Sequence, residues 1–334
     1  MAIWKKALFP FQILFAGVVL LRKKLYDTGI ISRYVAPIPT IVVGNLVTGG
    51  TGKTPIVDFL LQHFSQKKEL GLLSRGYGRK SKGFLAVSSN ASSNEVGDEP
   101  LMLSQNHPTV FVAVCENRPK GIVQMLEKNP ALEVIFLDDA FQHLSLQPTY
   151  NIVLTTFDRP WFSDTLLPIG NLREPVTAAQ QADVIVVTKC PSSIDEVTKN
   201  SYKMKLGLAP HQKLFFTTFK YDSHVRGVNE IPLEEFIKTP FVLITGIANP
   251  SLLVDFLKLQ GADFIHLSYP DHHNFSKKEI TSIKDMHQPI LTTEKDAVRL
   301  ATYKIKKCYT IAVGIKFIDN EKAFLKLVQS AIDN

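Results

Sequence analysis

The segment Thr40 to Thr54, TIVVGNLVTGGTGKT, constrains this chain more than any other stretch. A β-branched run enters Gly49-Gly50-Thr51-Gly52 and is followed by Lys53-Thr54 and a helical pattern, the strand, loop and helix order of a phosphate-binding loop. Small residues let successive backbone N–H groups face phosphate oxygens, and the N-terminus of the next helix adds a favourable dipole. Val47, Thr48, Gly49, Gly50, Thr51, Gly52, Lys53 and Thr54 are therefore the candidate nucleotide loop, with Lys53 for the β- and γ-phosphates and the Thr54 hydroxyl for Mg²⁺. The strict spacing of such loops would put glycine at position 47, where this chain has Val47.

A nucleotide loop of this kind needs an acidic residue at the end of a neighbouring strand. Glu133 to Asp139, EVIFLDD, supplies an apolar run ending in two carboxylates, with Gln142-His143 just beyond. Adjacent carboxylates repel unless a cation sits near them, so Thr54, Asp138 and Asp139 are the candidate Mg²⁺ residues.

Around these motifs, short apolar runs alternate with helical stretches from Pro37 onward, the pattern of an α/β fold with a mainly parallel sheet. Strands are expected at 40–44, 70–74, 109–114, 133–137, 150–154 and 184–188, and helices at 54–65, 99–104 and 119–128. Residues 88–94 (SSNASSN) have the composition of a flexible loop. A second, smaller α/β unit is expected after about Tyr221, with strands at 241–245, 264–267 and 290–293 and helices at 251–260 and 277–286. The expected organisation is an N-terminal membrane-associated helix (1–35), a P-loop domain of mainly parallel sheet flanked by helices (36–212), a linking ribbon (213–225) and the smaller unit (226–334), which closes over the site. With 334 residues, 45% hydrophobic and 21% charged, the chain is neither disordered nor low-complexity. Its three cysteines, Cys115, Cys190 and Cys308, are widely spaced, which argues against a disulfide framework or a cysteine zinc site.

The net charge of +7 is concentrated at the N-terminus: Lys5, Lys6, Arg22, Lys23, Lys24 and Arg33 face Asp27 alone, a surplus of five. This speaks against nucleic acid as a partner, which would call for basic residues spread over a domain face. The basic residues bracket Ala7 to Leu21, apolar except for Gln12. That run is short of the roughly 20 residues that cross a bilayer as a helix. Arg22-Lys23-Lys24 also occupies the place where a signal peptide would be cleaved. A helix lying in an anionic membrane surface, with Trp4 at the headgroups, fits better than a signal, a span or a core helix.

No Asn-Lys-x-Asp element for reading guanine is present, which disfavours a GTPase switch; Thr188-Lys189-Cys190-Pro191 and Glu294-Lys295-Asp296 both depart from it. Polar loop clusters, SRGYGR from Ser74, GDEP from Gly97, NRP from Asn117, LREP from Leu172 and DHH from Asp271, suggest a second, polyanionic or polyhydroxyl substrate. A kinase meets that need. Another small-molecule kinase or a membrane-recruited nucleotide switch would satisfy the loop motifs, but neither requires the apolar N-terminal run and the substrate clusters together.

The order and spacing of GNLVTGGTGKTP, LSRGYGR, VGDEPLML, NRPKG, LDDAFQH, LPIGNLREP, ADVIVVTK, TGIANP, YPDHHNF and TTEKDAVRL, over nearly the whole chain, resemble the tetraacyldisaccharide 4'-kinases, the lipid A 4'-kinases. Ala140 stands where that family often has glycine. The resemblance implies transfer of the ATP γ-phosphate to the 4'-hydroxyl of a tetraacyldisaccharide 1-phosphate. The product would be lipid IVA of lipopolysaccharide biosynthesis, formed at the cytoplasmic face of the bacterial inner membrane with no obligate protein partner. A sugar hydroxyl is a poor nucleophile, and a positioned carboxylate can accept its proton. Asp98 is the candidate base and His272 its partner, with His273 competing for that place. A helix N-cap is the plainer role for Asp98, since Asp-Glu-Pro before an apolar run is a normal helix start. Arg75, Arg118 and Arg173 are candidates for phosphate or transition-state charge. Glu174 is a candidate for the metal or the sugar, and His143 and His273 join the substrate group.

Overall fold

The computed structural model describes residues 8–333. Eleven strands carry the architecture: β1 Thr40–Asn45, β2 Leu70–Ser74, β3 Phe111–Val114, β4 Val134–Asp138, β5 Tyr150–Thr156, β6 Val184–Thr188, β7 Lys213–Arg226, β8 Phe241–Thr245, β9 Phe264–Ser268, β10 Ile290–Thr293 and β11 Cys308–Phe317. With the short strands Leu85–Ala86 and Glu230–Pro232 they form one 13-stranded sheet, ordered β9-β8-β10-β11-β7-β6-β5-β1-β4-β2-β3 before its terminal short strand. All pairings from β6 to β3 are parallel, as are those joining β9, β8, β10 and β11.

Strand β7 joins the two halves. Its first residues, Lys213 to Phe216, pair parallel with β6, and from Thr217 it pairs antiparallel with β11. The run expected as a ribbon is thus a 14-residue strand carrying the sheet from one half into the other.

The principal helices are α1 Phe9–Asp27, α2 Lys53–Phe64, α3 Asp98–Asn106, α4 Arg118–Lys128, α5 Glu196–Leu206, α6 Ser251–Leu259, α7 Lys277–Lys284, α8 Glu294–Leu300 and α9 Glu321–Asp333. They cover both sheet faces, which is why β1, β2, β4 and β6 are buried at every residue and read as continuous apolar runs. Alternate side chains still go to opposite layers: Ile41 and Val43 pack with Leu60 and Phe64 of α2, whereas Val42 packs with Ile122 and Met125 of α4. In the second half Leu243 meets Leu253 and Leu257 of α6, while Val242 and Ile244 meet Ile280 and Ile283 of α7.

Four of these elements were not anticipated, α5, α8, β11 and α9. Strand β11 is mostly half-buried, and α9 contributes Phe324, Val328 and Ile332 to the larger core. The loop expected at 88–94 ends in a short helix, Ser93–Val96, started by a capping box between Ser92 and Glu95.

Helix α1 has no buried residue, and Phe9, Phe11, Ile13, Leu14, Val18, Leu20 and Leu21 are exposed. Gln12 Nε2 ties it to the body by donating to the Leu166 carbonyl at 3.0 Å. Among the described residues no helix is long and apolar enough to cross a membrane. Trp4, Lys5, Lys6 and Ala7 lie outside the described residues.

Candidate active site

A cavity of about 590 Å³ opens at the C-terminal ends of the parallel strands, where an α/β sheet places its ligands. The loop after β1 forms its floor, and Thr48, Gly49, Gly50, Thr51, Gly52, Lys53 and Thr54 all line it. Val47 does not: it forms an isolated antiparallel bridge with Leu172, outside the lining. Gly52 caps α2 at φ +85°, a conformation that L side chains rarely adopt. Side chains brace the loop from below. Asn45 Nδ2 donates to Thr51 Oγ1 at 2.8 Å, Thr188 Oγ1 to the Thr51 carbonyl at 2.7 Å, and Lys189 Nζ to the Gly50 carbonyl at 2.6 Å.

Asp138 and Asp139 both line the cavity but differ in surroundings. Asp139 receives a two-pronged contact from Arg173, at 2.9 and 3.3 Å, and lies 3.6 Å from Lys53 Nζ. Burial raises its pKa, but Lys53 and Arg173 outweigh it and bring it down to about 2. Asp138 is pushed up to about 7, first by burial and then by the charges of Glu99 and Asp139. Its Oδ2 accepts from Ser74 Oγ at 3.2 Å, while its buried Oδ1 has no hydrogen-bond partner among the described residues. An orphaned carboxylate oxygen in the cavity that Thr54 also lines suits a cation, and the other oxygens could come from water and phosphate. That agrees with the absence, among the described residues, of any cluster of three or more His, Cys, Asp or Glu able to hold a metal alone.

The second half closes the cavity through the loops after β8, β9 and β10. His272, at φ +57°, places Nδ1 2.9 Å from Asp98 Oδ2, and its ring lies 4.9 Å from that of Tyr77. Asp98 does not cap α3. Gly97 occupies the N-cap at φ +90°, pressed so closely on Gly76 that an added Cβ would lie 3.1 Å from its backbone. Asp98 is 4% exposed, just behind the cavity wall that Glu99 and His272 line. Burial opposes its charge, but the His272 hydrogen bond and the charges of Lys295 and Arg299 prevail and hold its carboxyl below the ordinary value. His272 therefore orients this carboxylate without strengthening it as a base.

The remaining sequence candidates separate. Arg75 is exposed, lines the cavity and pairs with none of the described residues. Arg173 lines it while committed to Asp139. Arg118, expected to meet phosphate, is fully buried and outside the lining; Nη1 donates to the Cys115 carbonyl and Nη2 to the Asp138 carbonyl at 2.9 Å. Its side chain joins the ends of two strands rather than facing a ligand. His143 lines a separate cavity of about 230 Å³ with Arg33, and burial together with Arg118 and Arg75 lowers its pKa to about 4. His273 is turned away from Asp98, 3.2 Å from both Glu279 oxygens and stacked on Tyr269. Glu174 is buried outside the cavity lining, and burial raises its pKa to about 7 against Arg22, Arg173 and Lys23.

The family described as tetraacyldisaccharide-1-P 4'-kinase matches residues 4–333. The chain belongs to the tetraacyldisaccharide 4'-kinase family. It is 40% identical to the tetraacyldisaccharide 4'-kinase of Flavobacterium psychrophilum, over 99% of this chain and 97% of that protein. It is 37% identical to that of Bacteroides thetaiotaomicron, over 95% and 90%. The crystal structure of LpxK from Aquifex aeolicus in complex with ATP superposes with a TM-score of 0.80 at 30% identity, covering 99% of this chain and 100% of that one. The protein is thus a kinase of lipid A biosynthesis.

Several residues in and behind this cavity escaped sequence reasoning. Lys295 Nζ lies 2.9 Å from Glu99 Oε1, 3.4 Å from Asp271 Oδ1 and 3.3 Å from His272 Nε2. Arg299 Nε is 3.5 Å from Asp98 Oδ2, and its Nη2 donates to the Gly246 carbonyl at 2.9 Å. Asp296 is buried, accepting from the Gly246 amide at 3.0 Å and pairing with Arg299. All three lie in TTEKDAVRL, which contributed to the resemblance without its side chains being assigned work. The 3- and 4-residue spacing of Lys295, Asp296 and Arg299 on one short helix was the available signal.

Proposed function

We propose that the kinase transfers the γ-phosphate of ATP to the 4'-hydroxyl of a tetraacyldisaccharide 1-phosphate, with Asp98 as the general base. The observation that carries this reading is the Asp98–His272 pair, set behind the wall of the same cavity whose floor is the phosphate loop. In this reading the loop amides, Lys53 and the α2 N-terminus hold the phosphates. Arg75, the cavity arginine without a partner among the described residues, meets phosphate or transition-state charge. Thr54 and Asp138 are the residues that would hold Mg²⁺, which supplies charge neutralisation on the phosphates when bound. Asp139 keeps Lys53 and Arg173 in register. The 4'-hydroxyl enters past the Tyr77 and His272 rings and gives its proton to Asp98 as the oxygen–phosphorus bond forms. Because Asp98 belongs to the first half and His272 to the second, movement of one half against the other would assemble the site and exclude water.

The apolar surface of α1 supports peripheral attachment to an anionic membrane, at the cytoplasmic face where nucleotide is present. The test is ATP-dependent phosphorylation of the disaccharide lipid in detergent micelles and vesicles, comparing the full chain with one lacking residues 1–35. Absence of a new phosphomonoester despite intact ATP binding refutes the kinase reading. Equal vesicle activity of the two chains refutes the membrane role of the N-terminal segment.

A further inference from the structure

We propose that Lys295 is a positioning residue that fixes the tautomer of His272, by donating to Nε2 so that the ring keeps its single proton on Nδ1 and presents it to Asp98. This rests on the reading of Asp98 as base and adds the device that aims it.

An ammonium has three donors and no acceptor, and a neutral imidazole has one of each. Lys295 Nζ is 3.3 Å from Nε2, within hydrogen-bond reach. The one competitor at that nitrogen among the described residues is Asp271, whose Oδ2 lies 3.7 Å away, beyond that reach. Nε2 therefore carries the lone pair, Nδ1 carries the proton, and the 2.9 Å contact with Asp98 Oδ2 is an N–H to carboxylate bond. Lys295 is held charged by its surroundings. Burial works against the ammonium, but Glu99, Asp98 and Asp271 outweigh it and raise its pKa above the ordinary value.

The charged and polar groups facing this pair come from four elements. Asp98 and Glu99 are on α3, Lys295 and Arg299 on α8, Asp271 precedes His272 in the loop after β9, and the Tyr77 ring comes from the loop after β2. None of them offers Nε2 a carboxylate within bonding distance, so Lys295 is the partner within reach of that nitrogen among the described residues.

The consequence for the reaction is a defined proton path. The 4'-oxygen forms its bond to phosphorus, the bond from phosphorus to the leaving diphosphate oxygen breaks with its electron pair going to that oxygen, and the hydroxyl proton goes to Asp98. The proton cannot pass on to His272: Nδ1 already carries one, and Nε2 faces the ammonium. It stays on Asp98 until it leaves to solvent. Without Lys295 the ring is free to take the Nε2–H tautomer, which removes the donor from Asp98, or to become an imidazolium, whose charge would weaken Asp98 as a base.

The decisive measurement is nitrogen NMR of the full kinase labelled with ¹⁵N-histidine, the His272 signals being identified by their loss in His272→Gln. A pyridine-type Nε2 and a pyrrole-type Nδ1 are expected; a pyrrole-type Nε2 in the wild type overturns the proposal with no mutant of Lys295 needed. In Lys295→Met the two signals should move together or invert. Its kcat should fall about tenfold or more with KM for ATP unchanged. Unchanged His272 signals in that variant also overturn the proposal. Should Lys295→Met not fold, Lys295→Arg preserves charge and donor, and is expected to keep the Nδ1–H signature; loss of that signature in a folded Lys295→Arg counts against the proposal. The spectra read the tautomer independently of turnover. A fully active Asp98→Asn alongside the expected spectra would therefore defeat the base assignment and leave the Lys295 assignment standing.

Discussion

Asp138 and Asp139 share a peptide bond yet meet different neighbours, and the difference divides their work. Two cations already satisfy Asp139, whereas Asp138 keeps a buried oxygen without a donor among the described residues. Asp138→Asn is therefore expected to raise the Mg²⁺ concentration needed for half-maximal turnover. Asp139→Asn should act mainly by freeing Lys53 and Arg173, lowering turnover at saturating Mg²⁺; a titration of rate against Mg²⁺ for both variants separates these outcomes. For Asp98, replacement by alanine should reduce kcat by about 10² or more while leaving ATP affinity nearly unchanged. Survival of turnover would reduce Asp98 to an anchor for His272 and Arg299. These residues were nameable from the chain because chemistry restricts residue type at a phosphate loop, at a strand-end carboxylate and at a general base. Their assignments were not legible, because a carboxylate's role depends on which cations fold against it. Arg118 shows the limit from the other side: its place after a strand suggests a ligand contact, but both its hydrogen bonds go to main-chain carbonyls.

At the scale of elements, α1 and α8 are opposites: α1 exposes an apolar sequence and α8 buries part of a charged one. Helix α8 is held by its Thr293 N-cap and buries Asp296, Val298, Arg299 and Leu300, so its polar side chains can be fixed against the loops of both halves. Helix α1 buries nothing and keeps its apolar side chains outside. Replacing Phe11, Leu14 and Val18 together by serine should change unfolding free energy by no more than about 1.5 kcal/mol, about 0.5 for each surface site. The same change should sharply reduce co-sedimentation with anionic vesicles. A large loss of stability would mean that α1 is a structural helix of the body. The elements readable in the sequence were those with a local signal: β-branched runs, the glycine loop and amphipathic stretches. Strand β11, with the run Ile311 to Ile315 (IAVGI), and helix α9, with Phe324, Val328 and Ile332 four residues apart, carry local signals of the same kind and were overlooked although no tertiary information was needed to read them.

At the scale of the whole molecule, Glu174 is a buried carboxyl that feels charges of the N-terminal helix. Burial raises this carboxyl to about 7 although Arg22 and Lys23 of α1 and nearby Arg173 oppose the rise. A folded pKa above the unfolded one means that the native state holds the proton more tightly. Glu174 therefore contributes stability that is full below about 4.5, its ordinary value, and is lost as pH rises through about 7. The stability difference between the wild type and Glu174→Gln should shift against the wild type across that window and level off above it. Denaturant midpoints at pH 4.5, 6 and 8 test this, and a difference independent of pH would show that Glu174 is ionised throughout.

The phosphate loop, the mainly parallel α/β sheet and the family were written in the chain itself. Glycines, β-branched runs and the order of motifs are local properties, and few folds satisfy them together. Only the tertiary structure decided which of the polar residues act together. Asp98 and His272 are 174 residues apart, and Lys295 lies 23 further on. They meet because β7 carries one sheet through both halves, bringing strand ends from distant parts of the chain to a common edge. Direction and distance between side chains set a tautomer, a metal-facing oxygen or a buried arginine, and those quantities exist only once the sheet has formed.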